Sequence, residues 1–138
     1  MSLVLDASVA LSWAFDDEGG EYGTAVLQRL RSAEAVVPTL WPLEVANALA
    51  VGERRGRLTA AESARYARLL LSLPISMEPA ERSGSLESTL RLARNRGLSA
   101  YDACYLDLAI RYGLPLATLD GTLRSAAEAE GVEVFEPS

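Results

Sequence analysis

The sequence predicts a three-layer α/β domain built on a mainly parallel sheet of about five strands. Short apolar runs alternate with longer segments whose apolar residues recur at helical spacing. Such alternation is typical of helices packed on both faces of a parallel sheet. The length of 138 residues suits one domain, and an apolar content of 49% is enough for a sizeable core. Residues 1–138 are therefore predicted to form a single domain.

The first half of the chain gives two strands and three helices. In chain order these elements cover residues 2–5, 6–14, 21–33, 35–37 and 42–55. Asp6 or Ser8 can cap the first helix, and an acidic loop follows it at 16–20. Pro42 suits the first position of the third helix, because its missing N–H has no partner there anyway. Gly56 can end that helix in the left-handed conformation.

The second half of the chain continues the alternation. Its elements cover residues 59–73, 75–78, 85–96, 99–112, 114–119, 123–130 and 132–135. Thr59 and Glu62 have the spacing of a capping box, and Gly97 can end the fifth helix. Ser99 with Asp102 forms a similar cap for the sixth helix. The apolar face of the sixth helix is expected to consist of Tyr101, Cys104, Tyr105, Leu108 and Tyr112.

Composition excludes several kinds of chemistry. The chain has no histidine, which removes the Ser-His-Asp triad, the Cys-His pair and the HExxH zinc site. All thirteen cations are arginine, so lysine-dependent phosphate loops and Schiff bases are also excluded. The lone Cys104 cannot form an internal disulfide and is expected in the core. A net charge of −6 disfavours non-specific nucleic-acid binding.

Hydropathy predicts a cytoplasmic protein with no membrane segment. No apolar run approaches the ~20 residues that cross a bilayer. The N-terminal residues MSLVLDAS lack the basic start and long apolar stretch of a signal peptide.

Four acidic residues lie where predicted strands give way to predicted helices. Asp6 ends the run LVLD and Asp120 ends LPLATLD, whereas Glu44 and Asp102 open helical segments. Ligand sites in parallel sheets lie beyond the carboxyl ends of the strands, so these residues can meet in one cleft. Carboxylates so close repel one another unless cations lie among them or some take up protons. Mg²⁺ and Mn²⁺ are the cations that best suit oxygen ligands.

Each acid also has a structural alternative. Asp6 can cap the first helix, and Asp120, which precedes a glycine, can begin a turn. Glu44 and Asp102 lie in first helical turns, where acids favour the macrodipole. Their shared position at one edge of the predicted sheet favours a common site.

Three polar residues are candidates to support the quartet. Ser8 and Thr118 each lie two residues from an acid, and their hydroxyls can orient metal-bound water, although Ser8 can equally cap a helix. Asn47 lies one helical turn after Glu44 and can hydrogen-bond its carboxylate. Asp107, roughly 140° around the helix from Asp102, is expected on the surface away from the cleft. The acidic residues at 16–18 are expected in a solvated loop.

These motifs resemble those of the PIN-domain family, and their wording is most similar to VapC-type toxins of bacterial toxin–antitoxin pairs. The resemblance rests on LVLDASV, LEVANAL, SAYDACYLDLA and TLDGTL in that order and covers essentially the whole chain. It implies a PIN-like fold and a Mg²⁺- or Mn²⁺-dependent endoribonuclease. It assigns Asp6, Glu44, Asp102 and Asp120 as the acidic quartet, with Ser8 and Thr118 at positions usually held by small polar residues. It also implies a cognate antitoxin and a homodimer. Asp107 departs from the pattern, where a small or apolar residue is expected.

The predicted reaction is hydrolysis of RNA by metal-activated water, which leaves a 5′-phosphate and a 3′-hydroxyl. Exposed arginines can bind phosphate, but those at helix ends can equally serve the macrodipole, so none is assigned to RNA. Two alternatives stay open: a catalytically inactive PIN-like binding module, and another metal-dependent phosphoryl-transfer hydrolase. The second lacks an Asp-x-Asp motif after the first strand.

Overall fold

The computed structural model describes residues 1–15 and 20–137, and a parallel sheet forms its centre. In these residues the strands are β1 (Ser2–Leu5), β2 (Glu34–Val37), β3 (Ile75–Met77) and β4 (Leu116–Ala117). They are ordered β3-β2-β1-β4, and every pairing is parallel. Val4 of β1 lies opposite both Val36 and Leu116. The predicted parallel α/β fold is confirmed.

The sheet has four strands in the described residues, so the prediction of about five was wrong by one. The segment predicted as a strand at 132–135 makes one isolated bridge, between Val134 and Leu116. Its neighbour β4 has only two residues, since Pro115 has no N–H to donate and the Thr118 N–H is directed to the hydroxyl of Tyr22 (3.3 Å). So short a strand offers little edge on which a further strand can pair.

Helices connect the strands. In the described part of the chain they are α1 (Ala7–Ser12), α2 (Gly20–Arg29), α3 (Trp41–Arg54), α4 (Ala60–Ser72), α5 (Leu86–Arg96), α6 (Ala100–Tyr112) and α7 (Gly121–Ala129). The Thr59–Glu62 capping box is present at α4. Gly97 ends α5 with a φ of 66°, and Gly56 follows α3 with a φ of 74°. These predicted helix signals are therefore confirmed.

Several helix boundaries differ from the predictions. Helix α2 ends at Arg29 rather than at residue 33, because short-range turn hydrogen bonds, including one from the Arg31 N–H to the Gln28 carbonyl, replace the helical pattern. Pro42 is the second residue of α3 rather than the first. A short 3₁₀ helix, Ala80–Arg82, was not predicted. Of the acidic loop predicted at 16–20, residues 16–19 lie outside the described residues, and Gly20 is the first residue of α2.

The core lies between the sheet and its helices. Val4 and Leu5 of β1, Leu116 of β4 and Leu106 of α6 have no exposed surface. Helix α6 contacts β1, β4, α5 and α7. A helix enclosed on several sides cannot have one apolar stripe, so the predicted apolar face of α6 was partly wrong. Tyr101 is 63% exposed, whereas Tyr105 and Leu108 are buried as expected.

Asp107 is buried, which corrects its predicted place on the surface. Its Oδ2 accepts a 2.7 Å hydrogen bond from Nε of Arg111, whose guanidinium also pairs with the buried Glu78. The carbonyl of Arg82 accepts from the same guanidinium at 2.6 Å. Asp107 can be charged at this buried position because it forms a hydrogen-bonded ion pair with Arg111, whose other donors also have partners.

Cys104 is half-buried rather than fully in the core. Its thiol donates to the carbonyl of Tyr101 at 2.9 Å. Burial and neighbouring carboxylates raise the pKa of the thiol to about 12, so it stays protonated at neutral pH. None of the helices among residues 1–15 and 20–137 has the length and apolar character to cross a membrane.

Candidate active site at the carboxyl edge of the sheet

Asp6 lies at the carboxyl end of β1 and is the most enclosed of the four acids. Its residue is 5% exposed. Oδ2 accepts hydrogen bonds from the hydroxyls of Ser8 (2.6 Å) and Thr118 (2.8 Å). Asp6 occupies the N-cap position of α1, but its side chain makes no capping hydrogen bond. The capping alternative for Asp6 is therefore wrong, and its carboxylate faces β4 and the loop that follows.

The surroundings of Asp6 oppose its ionisation. Burial raises the pKa of its carboxyl from 3.8 to about 6, while the hydrogen bonds from Ser8 and Thr118 act in the opposite direction. Repulsion from Asp102 and Glu44 raises it further. Buried carboxyls beside other acids are common at functional sites, where a cation or a proton offsets the charge.

Glu44 projects from the first turn of α3 and is held by a tyrosine of α6. The hydroxyl of Tyr105 donates to Oε1 at 2.5 Å. Burial raises the pKa of Glu44, the bond from Tyr105 lowers it, and repulsion from Asp102 raises it. The helical spacing predicts Tyr105 only as part of an apolar face of α6. Its position three residues after Asp102, on the same side of the helix, was the available signal.

Asp102 lies in the first turn of α6, and Asp120 immediately precedes α7. Burial raises the pKa of Asp102, and repulsion from Asp120 adds to this, whereas its contact with Ser99 lowers it. Oδ1 of Asp120 accepts from the backbone N–H groups of Thr122 (2.9 Å) and Leu123 (3.3 Å), so this acid caps α7. A capping carboxylate keeps a second oxygen for another contact.

The four acids are therefore linked by electrostatic repulsion between neighbouring pairs. Asp6 is influenced by Glu44 and Asp102, and Asp102 by Asp120. One acid follows β1, one lies in α3, one lies in α6, and one immediately precedes α7. Residues more than a hundred positions apart in the sequence meet because parallel strands end at the same edge.

The three predicted supporting residues have different positions. Thr118 is fully buried, and its hydroxyl accepts from the N–H of Asp120 at 3.0 Å besides donating to Asp6. Ser8 likewise accepts from the N–H of Leu119 at 3.0 Å. Both hydroxyls thus join the end of β1 to the loop before α7. Asn47 is exposed and makes no hydrogen bond to Glu44 among the described residues, because one turn along α3 the helix faces solvent; Tyr105 contacts Glu44 instead.

The donor set suits a hard divalent cation. Among the described residues, no three acidic or cysteine side chains are arranged to share one metal ion. Mg²⁺ is usually held by one or two carboxylates and keeps several waters, so a pair of acids is sufficient. A cation beside Asp6 also offsets the repulsion that raises its pKa. The chemistry of these oxygen donors therefore fits Mg²⁺ or Mn²⁺, and Asp6, Glu44, Asp102 and Asp120 are the residues that could hold such a cation.

An open groove of about 660 Å³ adjoins this site. It lies between the end of α5 and the start of α7, and its lining includes Asn95, Arg96, Asp120, Thr122 and Ser125. Nε of Arg96 pairs with Glu130 at 2.7 Å. The groove thus combines polar groups, a guanidinium and one acid of the quartet.

Comparison with known proteins agrees with this arrangement. The family model described as PIN domain matches residues 3–129, a span that includes all four acids. The chain belongs to the PIN-domain family. The predicted resemblance is thereby confirmed.

Relatives of known name and structure are similar over most of their length. Ribonuclease VapC3 of Pyrobaculum aerophilum is 29% identical over 123 residues, which cover 89% of this chain and 92% of that protein. The crystal structure of PAE2754 from the same organism superposes with a TM-score of 0.69 at 27% identity, covering 91% of this chain and 87% of the other. FitAcB from Neisseria gonorrhoeae has the same fold, with a TM-score of 0.62 at 22% identity and coverage of 99% and 98%.

Proposed function

We propose that this protein is a metal-dependent endoribonuclease and the toxin of a toxin–antitoxin pair. The observation that carries the proposal is the buried Asp6 carboxylate, which two hydroxyls hold at the carboxyl edge of the sheet while Glu44 and Asp102 repel it. Such an arrangement is stabilised by a bound divalent cation. Similarity to a protein named ribonuclease VapC3 supports RNA as the substrate class.

The residues of the chain have separable tasks in this proposal. Asp6 and Asp102 hold the cation, and Ser8 and Thr118 fix the orientation of Asp6. When bound, Mg²⁺ or Mn²⁺ lowers the pKa of a coordinated water and offsets charge on the phosphoryl oxygens. Glu44, held by Tyr105, completes the negative field that attracts the cation. No histidine is required, and the chain has none.

The groove beside Asp120 is the proposed path of the RNA strand. Its polar lining and the guanidinium of Arg96 suit a sugar–phosphate backbone, and it reaches the quartet at Asp120. The net charge of −6 makes non-specific binding to nucleic acid weak, so a bound cation and local arginines must supply the attraction.

A protein antitoxin is the proposed partner, and a homodimer is the proposed assembly. A cluster of carboxylates is a concentrated negative field, which attracts an arginine or lysine from an inhibitor. A segment that folds on binding could place such a group at the quartet. Cation and antitoxin would then compete for the same carboxylates.

The test is cleavage of a single-stranded RNA with Mg²⁺, with Mn²⁺ and with a chelator. Cleavage that requires the cation and leaves 5′-phosphate ends is expected, and a phosphomonoester should not be hydrolysed. Asp6→Asn and Asp102→Asn should abolish cleavage while the fold is kept. Glu44→Gln should reduce it, whereas Glu53→Gln, an exposed acid on the same helix, should have no effect.

Each other outcome identifies a different function. Hydrolysis of the phosphomonoester alone would indicate another phosphoryl-transfer enzyme. Cation binding without cleavage of any RNA would indicate a binding module. Full activity of both aspartate variants would refute the assignment of the site.

A further inference from the structure

The hydrogen bond between Tyr105 and Glu44 is the feature of the site that neither the motifs nor the acids explain. The Tyr105 side chain has no exposed surface, yet its hydroxyl reaches Oε1 of Glu44 at 2.5 Å. A buried phenol needs a partner for its O–H. Here the partner is a carboxylate of the site rather than a backbone carbonyl, although carbonyls are the commoner acceptors of side-chain hydrogen bonds.

The contact joins two helices that carry acids of the site. Helix α6 supplies Asp102 and, three residues later on the same side, Tyr105. Helix α3 supplies Glu44. One face of α6 therefore carries Asp102 and also holds the carboxylate of Glu44 on α3. The distance between these two acids then depends on the buried, rigid ring of Tyr105.

Glutamate needs such a contact more than aspartate does. The glutamate side chain has three rotatable bonds, and the torsion angle of the last one has only a broad preference. Glu44 is half-exposed, so packing alone does not fix its carboxylate. The phenol O–H occupies Oε1 and leaves Oε2 for another contact.

We propose that Tyr105 is a positioning residue, which holds the Glu44 carboxylate beside Asp102 and thereby raises the affinity of the site for divalent cations. The proposal rests on the proposed function, because it assumes that the acids bind a cation. Groups that orient metal-binding carboxylates in this way usually contribute about 10–100-fold to affinity or activity.

The chain offers a matched control for the loss of one buried phenol O–H. Tyr66 is also buried, and its hydroxyl donates to the backbone carbonyl of Ala10, with no acid of the site involved. Tyr66→Phe and Tyr105→Phe remove the same atom from the same kind of environment. If Tyr105 had only a structural role, the two substitutions should have similar effects on Mn²⁺ affinity.

The experiment is a Mn²⁺ titration of the folded protein by calorimetry, followed by kinetics with RNA. Tyr105→Phe should weaken Mn²⁺ binding about 10–100-fold and lower kcat at subsaturating Mn²⁺, with little change in KM for RNA. Tyr66→Phe should bind Mn²⁺ as the wild type does. Unchanged Mn²⁺ affinity in Tyr105→Phe, or an equal loss in Tyr66→Phe, would overturn the proposal.

A second variant tests the same contact from the side of Glu44, without altering the buried ring of Tyr105. Glu44→Asp retains the charge but draws the carboxylate away from the phenol, so it should lose Mn²⁺ affinity to a similar extent. Adding Tyr105→Phe to Glu44→Asp should then cause no further loss, because the contact is already gone. Full additivity would contradict the proposal. If the folded wild type binds no Mn²⁺, both the proposed function and the proposed role of Tyr105 are refuted. If the wild type and Tyr105→Phe bind Mn²⁺ equally well, only the role of Tyr105 is refuted.

Discussion

Replacing Asp6 by asparagine should make the metal-free protein more stable. Ionised Asp6 is 5% exposed and repelled by Glu44 and Asp102, so its charge destabilises the folded state. The amide of Asn is neutral and can still accept hydrogen bonds from Ser8 and Thr118. The substitution therefore removes the unfavourable charge and keeps the contacts that orient the side chain.

The size of the effect follows from the pKa of Asp6. Its rise from 3.8 to about 6 corresponds to about 3 kcal/mol at 1.36 kcal/mol per pH unit. A carboxyl with a raised pKa binds its proton more tightly in the folded protein than in the unfolded chain, so its contribution to stability falls as pH rises through the interval between 3.8 and about 6. Above that interval the whole destabilisation is present. Asp6→Asn should then gain about 1–3 kcal/mol at pH 7, or about 4 °C in Tm per kcal/mol at this chain length.

The assay is thermal unfolding followed by circular dichroism between pH 4 and pH 8, with a chelator present. Wild-type Tm should fall relative to Asp6→Asn as pH rises through the interval and run parallel to it above. Asp107→Asn is the control of opposite sign, because this buried aspartate pairs with Arg111 and its loss should cost about 1–3 kcal/mol. A Tm of Asp6→Asn at pH 7 that is equal to or lower than that of the wild type would refute the inference that repulsion between the acids destabilises the metal-free protein. Saturating Mg²⁺ should reverse the order, since only the wild type binds the cation fully.

Four further outcomes are expected. Gly84→Ala should lower the urea midpoint by an amount equivalent to about 1–3 kcal/mol, because the new Cβ would lie 1.9 Å from Oδ2 of Asp107; an unchanged midpoint would contradict this. Thr59→Ala should cost about 1 kcal/mol in the same assay, since it removes the α4 capping box, and no loss would mean that the cap is not used in solution. Thr118→Val should reduce RNA cleavage, because Asp6 loses a hydrogen bond and its pKa rises further; wild-type rates from pH 6 to 8 would argue against it. Binding of the proposed antitoxin should weaken as Mg²⁺ rises at constant ionic strength, whereas constant affinity would indicate inhibition by covering the proposed RNA path.

The fold was largely predictable because its signals are local. Helix ends depend on residues a few positions apart, as at Thr59 with Glu62 and at Gly97, and these were identified correctly. The last strand was not predictable in the same way. VEVF has a strand pattern, but whether it pairs depends on β4, which is shortened by Pro115 and by the contact of Thr118 with Tyr22.

The candidate site, like the fold, was predictable in part from the sequence and in part only from the tertiary structure. The order of short strands and helices determined by itself that Asp6, Glu44 and Asp120 would face one edge, because they follow parallel strands, which all end there. Asp102 follows α5 rather than a strand, so its place at that edge depends on the packing of α6 against β1 and β4. Which side chains surround them was decided by tertiary packing. Tyr105 and Asp107 both lie on α6, a helix covered on several sides, so its sequence periodicity does not distinguish one buried side from another. Only the approach of α3 directs Tyr105 to Glu44, and only the chain around β3 brings Glu78 to the Arg111 that pairs with Asp107. Contacts between distant segments have no periodicity in the sequence, and for that reason the partners of these two residues required the three-dimensional structure.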